Sequence, residues 1–231
     1  MNYNEQTKYF KKTFGLKNEP LAISFTNDKL ATDLMIATSG RYQEISICRA
    51  IKLAMDGKSI IIDDKVLKYP DGCNYCGLTE LTKNQKRRIQ DYLIDDEKIT
   101  GSIISLERML RLTSIPLAGI ADRIVITPLD KTKIRPDMLL FMCNPGQASR
   151  LISLDTYWDG LSPKQQVIGT LCYTTIIYTI MTGYTNISMG DWAARIKQHF
   201  THDMLFVSIP YERINNLIDA MKEISSCKEV F

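Results

Sequence analysis

The chain is short of the features that assign a function quickly. In 231 residues it has two histidines and two tryptophans. No linker rich in glycine, proline or serine, no low-complexity tract and no block of like charge interrupts it, which excludes disordered, collagenous and coiled-coil classes. Net charge is also scarce: 29 basic against 26 acidic side chains leave +3. That balance removes the electrostatic case for nucleic acid or an anionic membrane as partner. Long apolar runs are missing too. The longest, Val167 to Met181, carries four threonines, falls short of the roughly 20 residues of a membrane span, and reads as a buried core helix. The opening residues, Met1-Asn-Tyr-Asn-Glu-Gln-Thr-Lys8, lack the apolar segment of a secretory signal. A cytoplasmic location with reduced cysteines is therefore expected.

What is present is an ordinary globular composition, 45% hydrophobic and 24% charged, in a chain long enough for one large domain or two small lobes. Helix signals cover residues 3–14, stopped by Gly15, and 43–56, stopped by Gly57. A charged helix is expected over 82–94 and a short one over 105–113. Asn144-Pro145 opens another. Ser162-Pro163 is expected to open a long helix ending at Gly183, and Pro210 opens the last. Short β-branched segments predict strands at Leu21–Thr26, Ser59–Ile62, Arg123–Pro128, Met138–Cys143 and Met204–Ile209. Interleaved helices and strands indicate an α/β or α+β class.

A weak internal repeat orders these elements. Pro20-Leu-Ala-Ile-Ser-Phe-Thr-Asn27 is similar to Pro136-Asp-Met-Leu-Leu-Phe-Met-Cys-Asn144. Each is followed by a helix with a cysteine, Cys48 or Cys172, that ends in glycine. Ile104-Ser-Leu-Glu-Arg108 and Ile209-Pro-Tyr-Glu-Arg213 then match as a third pair. The expected organisation is an N-terminal helix over 1–19, a first lobe over 20–113, a connection over 114–135 and a second lobe over 136–231. The lobe interface is a natural ligand pocket.

Three segments carry candidate chemistry. Cys73-Asn-Tyr-Cys76 is a C-x-x-C after Pro70-Asp-Gly72, a spacing that suits a metal, an iron–sulfur cluster or a dithiol pair. If the repeat brings Cys48 and Cys172 to it, four thiolates converge: Cys48, Cys73, Cys76 and Cys172 are the candidate metal ligands. Cysteines that merely pack are the competing reading. Asn144-Pro-Gly-Gln-Ala-Ser-Arg150 follows a strand and starts a helix. Its free amides favour an anionic group, with Asn144, Gln147 and Arg150 as cofactor-binding candidates and a well-capped helix as the alternative. In Asn186-Ile-Ser-Met-Gly-Asp-Trp-Ala-Ala-Arg195, a hydrogen-bonding loop enters a helix that Asp191 can cap, and Asp191 and Arg195 form a simple i,i+4 pair. Cys143 reads as a small buried residue, and His199 and His202 as a solvated helix end.

Ser46-Ile-Cys-Arg-Ala-Ile51, Asn144-Pro-Gly-Gln-Ala-Ser-Arg-Leu151, Gly169-Thr-Leu-Cys172, Thr182-Gly-Tyr-Thr-Asn186 and Val207-Ser-Ile-Pro210 together resemble the domain-of-unknown-function family 169 of bacteria and archaea. The resemblance runs from Pro20 to about Leu217. It implies cysteines equivalent to Cys48 and Cys172. It also implies further family cysteines where this chain has Tyr69-Pro-Asp-Gly72 and Met189-Gly190, and Cys73 and Cys76 lie close enough in sequence to substitute for them.

Three functions are then in contention. The first is a cytosolic protein holding a thiolate-bound metal, an iron–sulfur cluster or a small anionic cofactor between two lobes. The second is a cysteine-dependent enzyme or redox protein acting on a small anionic substrate. The third is a non-catalytic assembly or maturation partner using Tyr157 and Trp158 as a contact face.

Overall fold

A computed structural model describes residues 1–29, 32–33, 44–66, 76–111, 119–160 and 165–225. Six strands form one sheet: β1 (Leu21–Thr26), β2 (Ile60–Ile62), β3 (Arg123–Pro128), β4 (Met138–Cys143), β5 (Asn186–Ser188) and β6 (Leu205–Pro210). Their order is β2-β3-β1-β4-β6-β5, and every neighbouring pair is antiparallel. The class is therefore α+β. The order reads as a mirrored arrangement about the β1–β4 seam. At that seam Leu21 pairs Leu140, Ala22 pairs Leu139 and Ile23 pairs Met138.

Helices cover both faces of the sheet, so its central strands are apolar on both sides rather than alternating. All six residues of β4 are buried. On one face Leu21, Ile23, Ile60, Ile126 and Leu140 pack against α2 (Ile47–Met55) and a helix over 171–182. On the other, Ala22, Leu139, Phe141 and Val207 pack against three helices. These are α1 (Tyr3–Phe14), the Pro145–Asp155 helix and the C-terminal Ile214–Ser225 helix. The period-two alternation of a strand assigns neighbouring residues to opposite clusters, as Leu21 and Ala22 show.

The remaining helices can now be numbered in chain order. They are α3 (Lys83–Asp91), which runs on into a π-helical turn at Tyr92–Asp96, α4 (Ile103–Leu110), α5 (Pro145–Asp155), α6 over 171–182, α7 (Trp192–Gln198) and α8 (Ile214–Ser225). Local chemistry fixes the ends of several helices. An Asn2–Glu5 capping box starts α1 and left-handed Gly15 ends it. Left-handed Gly183 ends α6. The middle of α6, Tyr173–Ile177, is π-helical.

Three expectations need correction. The helix that ends at Gly183 begins at residue 171, not at Pro163. Ser162-Pro163 lies outside the described residues, and 165–170 is not helical, because this stretch is tied to strand β5: the Gln166 amide donates to Asn186 Oδ1 at 2.9 Å and the Met189 amide donates to the Val167 carbonyl. Asn186–Ser188, expected as loop, is an edge strand. Ile104–Arg108 lies inside α4, whereas Ile209–Arg213 ends β6 and enters a 3-10 turn at Tyr211–Arg213. These two segments are not structural counterparts; a Glu-Arg pair suits any solvated helical turn. The segment with the conformation of Ile209–Arg213 is Thr127–Lys131, where β3 ends at Pro128 and a 3-10 turn covers Leu129–Lys131.

Candidate functional site: a cavity between two helix N-termini

Helix α2 starts at Ile47 because Ser46 Oγ accepts the Arg49 amide at 3.2 Å, which places Cys48 at its second residue. Helix α6 starts at Leu171, with the Thr174 amide bonded to the Thr170 carbonyl, which places Cys172 at its second residue as well. The two N-terminal turns meet at a cavity of about 250 Å³, and both cysteines are on its wall. Cys48 is partly exposed and Cys172 is 8% exposed. A helix N-terminus is electropositive, so each thiol stands where an anion or a thiolate is favoured.

The opposite wall is built by the turn after α3 and by α7. Tyr92 Oη donates to Glu97 Oε1 at 2.9 Å, and Lys197 Nζ reaches the same carboxylate oxygen at 2.5 Å and Tyr92 Oη at 3.2 Å. Burial and the hydrogen bond to Glu97 push the Tyr92 hydroxyl up to about 12. The contact with Glu97 raises Lys197 above the ordinary lysine range. π-Helical turns of the kind seen at Tyr92–Asp96 and Tyr173–Ile177 occur often at functional sites, and both adjoin this cavity.

Asp191 joins the two sides. Its Oδ1 accepts the Ala194 amide at 2.6 Å, capping α7, and its Oδ2 accepts the Leu171 amide at 2.7 Å, fixing the start of α6. Burial pushes its carboxyl above the usual range, partly offset by these two amides. The simple Asp191–Arg195 pair is thus replaced by backbone contacts on both partners. Arg195 Nε donates to the Met189 carbonyl and Nη1 to the Thr201 carbonyl, each at 2.7 Å, while Nη2 reaches the Met204 carbonyl. Desolvation lowers the Arg195 guanidinium from its ordinary value.

The other candidate residues lie elsewhere. Cys76 is fully buried in the apolar cluster that also holds Cys172 and against which Cys48 packs. Cys73 lies outside the described residues. Among the described residues no three His, Cys, Asp or Glu side chains are grouped to hold a metal ion. Asn144 and Gln147 line a different cavity, of about 190 Å³. There they close a capping box on each other at 2.9 Å in both directions, and Gln147 Nε2 donates to the Gly15 carbonyl at 2.8 Å. Their polar groups serve the fold. Arg150 is exposed on α5 and lines neither cavity. Cys143 is 3% exposed, and burial pushes its thiol up to about 12, so it is inert. His199 ends α7 in a left-handed conformation, and both histidines are exposed.

The sequence singles out the two cysteines on this wall but not Tyr92, Glu97, Lys197 and Gln198. No local pattern marks them, because they come from segments about a hundred residues apart. Asp191 carried a readable signal, its capping position, but its second contact at Leu171 is tertiary.

No helix among the described residues is long and apolar enough to cross a membrane. No curated protein and no solved structure matches the chain. Residues 9–220 match the family model DUF169, described as "Uncharacterised ArCR, COG2043". That match covers most of the molecule, including every residue of the cavity wall, and the chain belongs to this family.

Proposed function

We propose that this is a cytosolic binding protein that takes a small anionic ligand in the cavity where α2 and α6 begin, with Cys48 and Cys172 contacting it. The observation that carries the reading is the placement of two cysteines, 124 positions apart, at the same second residue of two helices facing one cavity. In this reading the molecule is an internal duplication. Support comes from the mirrored strand order, from a cysteine helix between β1 and β2 and another between β4 and β5, and from the matching strand-to-3-10 endings at Pro128 and Pro210. The ligand then sits near the axis relating the halves, as in pockets built at domain interfaces.

A second reading is a thiolate-bound metal or iron–sulfur centre. It is favoured by the membership of Cys76 and Cys172 in one apolar cluster with Cys48 packed against it. A tetrahedral site requires four ligands, so this reading needs Cys73 as well.

Purification without air, followed by metal analysis, a visible absorption spectrum and native mass spectrometry, separates the two. A bound small mass without metal, lost in Cys48→Ala and in Cys172→Ala, supports the anion reading. A metal-dependent absorption band lost in the same variants supports the second. A protein carrying neither, with Cys48 and Cys172 unreactive toward iodoacetamide, refutes both and leaves the cysteines as packing groups.

A further inference from the structure

We propose that the cavity selects a small carboxylate, and that Arg49 and Lys197 are the residues that receive it. This rests on the anion reading above and adds the ligand's chemical class.

Two of the carboxylates on the wall are already engaged. Asp191 spends both oxygens on backbone amides, and Glu97 is held by Tyr92 and Lys197. Glu44 is exposed at the rim. The cations are less occupied. The Arg49 amide is bound to Ser46 Oγ, but its guanidinium has no hydrogen bond or ion pair among the described residues. Lys197 gives two donors, to Glu97 and Tyr92. An ammonium has three, so one remains.

These two cations differ in what they recognise. A guanidinium fork matches the two oxygens of a carboxylate in plane, and Arg49 directly follows Cys48 at the electropositive end of α2. Lys197, tethered by Glu97, is a point charge at a fixed place on the facing wall. Gln198 completes the description. The residue lines the cavity, and its buried Oε1 has no hydrogen-bond partner among the described residues. A buried acceptor without a partner is a rare and costly arrangement, and a ligand bearing a hydrogen-bond donor relieves it. The volume of about 250 Å³ lies below the range of about 300–1,000 Å³ for drug-sized pockets, which limits the ligand to a few heavy atoms beyond its carboxylate.

Two alkylating probes of nearly equal size test this on the full chain: iodoacetate, a carboxylate, and iodoacetamide, its neutral analogue. In both, the cysteine sulfur forms a bond to the methylene carbon and iodide leaves with the electron pair of the broken carbon–iodine bond. Rates at Cys48 are measured by peptide mass spectrometry at one pH, in the folded and in the denatured chain. The expected iodoacetate-to-iodoacetamide ratio is about tenfold higher in the folded chain, the size of one charge-assisted contact. Arg49→Met should return it to the denatured value, Arg49→Lys should keep part of it, and Lys197→Met should lower it independently. Arg49 is exposed, so its variants are expected to fold. A ratio no higher in the folded chain, or one that survives both methionine variants, overturns the proposal while leaving a thiol-lined cavity intact. If iodoacetamide reaches neither Cys48 nor Cys172, the cavity reading itself falls and the proposal with it.

Discussion

The Asp191 carboxylate accepts the Leu171 amide across 2.7 Å while its other oxygen caps α7 at Ala194. One side chain therefore sets the start of the Cys172 helix and of the helix that carries Lys197. Asp191→Ala leaves two amides without an acceptor and is expected to destabilise the fold by about 2–4 kcal/mol. Asp191→Asn, which keeps one acceptor, should cost less than half of that. Urea unfolding of both variants measures the difference, and equal losses would show that only the charge matters.

The residue before it has no room to change. Gly190 has φ +66°, and a Cβ there would stand 2.9 Å from Leu171 Cδ1. Gly190→Ala combines an unfavourable backbone conformation with a clash against the first residue of α6. We expect a loss of about 1–3 kcal/mol and a changed alkylation rate at Cys172, the next residue of that helix. Alkylation unchanged in a destabilised variant would separate the turn from the cavity.

On the far face of the sheet, Arg213 Nε donates to Asp155 Oδ1 at 2.9 Å, and its Nη2 reaches the Asp155 carbonyl at 2.9 Å and Asp159 Oδ2 at 3.0 Å. Asp155 is almost wholly buried. Arg213→Met leaves that carboxylate uncompensated and should cost about 3–5 kcal/mol. The double variant Arg213→Met with Asp155→Asn should recover a large part. Chemical denaturation of the cycle gives the coupling directly.

The Tyr92 hydroxyl, held up at about 12 in the folded chain against an ordinary value of 10, links stability to alkaline pH. A group whose folded value is raised contributes stability below its unfolded value and loses it as pH climbs through the folded one. The wild type should therefore lose more stability between pH 10 and pH 12 than Tyr92→Phe does. Parallel pH profiles of the two proteins would contradict the assignment.

Much of the sheet was readable because five of its strands are short, mostly apolar runs, with β2 starting one residue later than expected. Leu21–Thr26, Arg123–Pro128 and Met138–Cys143 have the bounds expected of them, and β6 differs by one residue at each end. Strand β5 escaped because Asn186, Ile187 and Ser188 have no hydrophobic run. Its identity comes from pairing with β6 and from the Asn186 side chain, whose Nδ2 donates to the carbonyls of Gln166 at 3.1 Å and Thr174 at 2.6 Å. The π-turns escaped for the same reason: nothing in Tyr173–Ile177 distinguishes it from an ordinary helix except the tertiary bond that Thr174 receives. At the cavity, Cys48 and Cys172 stood out in the sequence as cysteines within helix segments that end in glycine. Asn144 and Gln147 attracted attention as a helix start, but a capping box is an equally good reason for those residue types, and here it consumes them.

The mirrored sheet has one further consequence, for how copies of this protein meet one another. Both of its outer strands, β2 and β5, are three residues long, while the strands inside them are six. A neighbour seeking to extend the sheet would find too few free amides and carbonyls to hold on to. At β2 it would also meet Lys58 on one side and Asp63 and Asp64 on the other. The hydrophobic six-residue strands that would otherwise invite fibril growth are enclosed, so crowded solutions of the folded chain should stay free of cross-β association until β2 or β5 is peeled away.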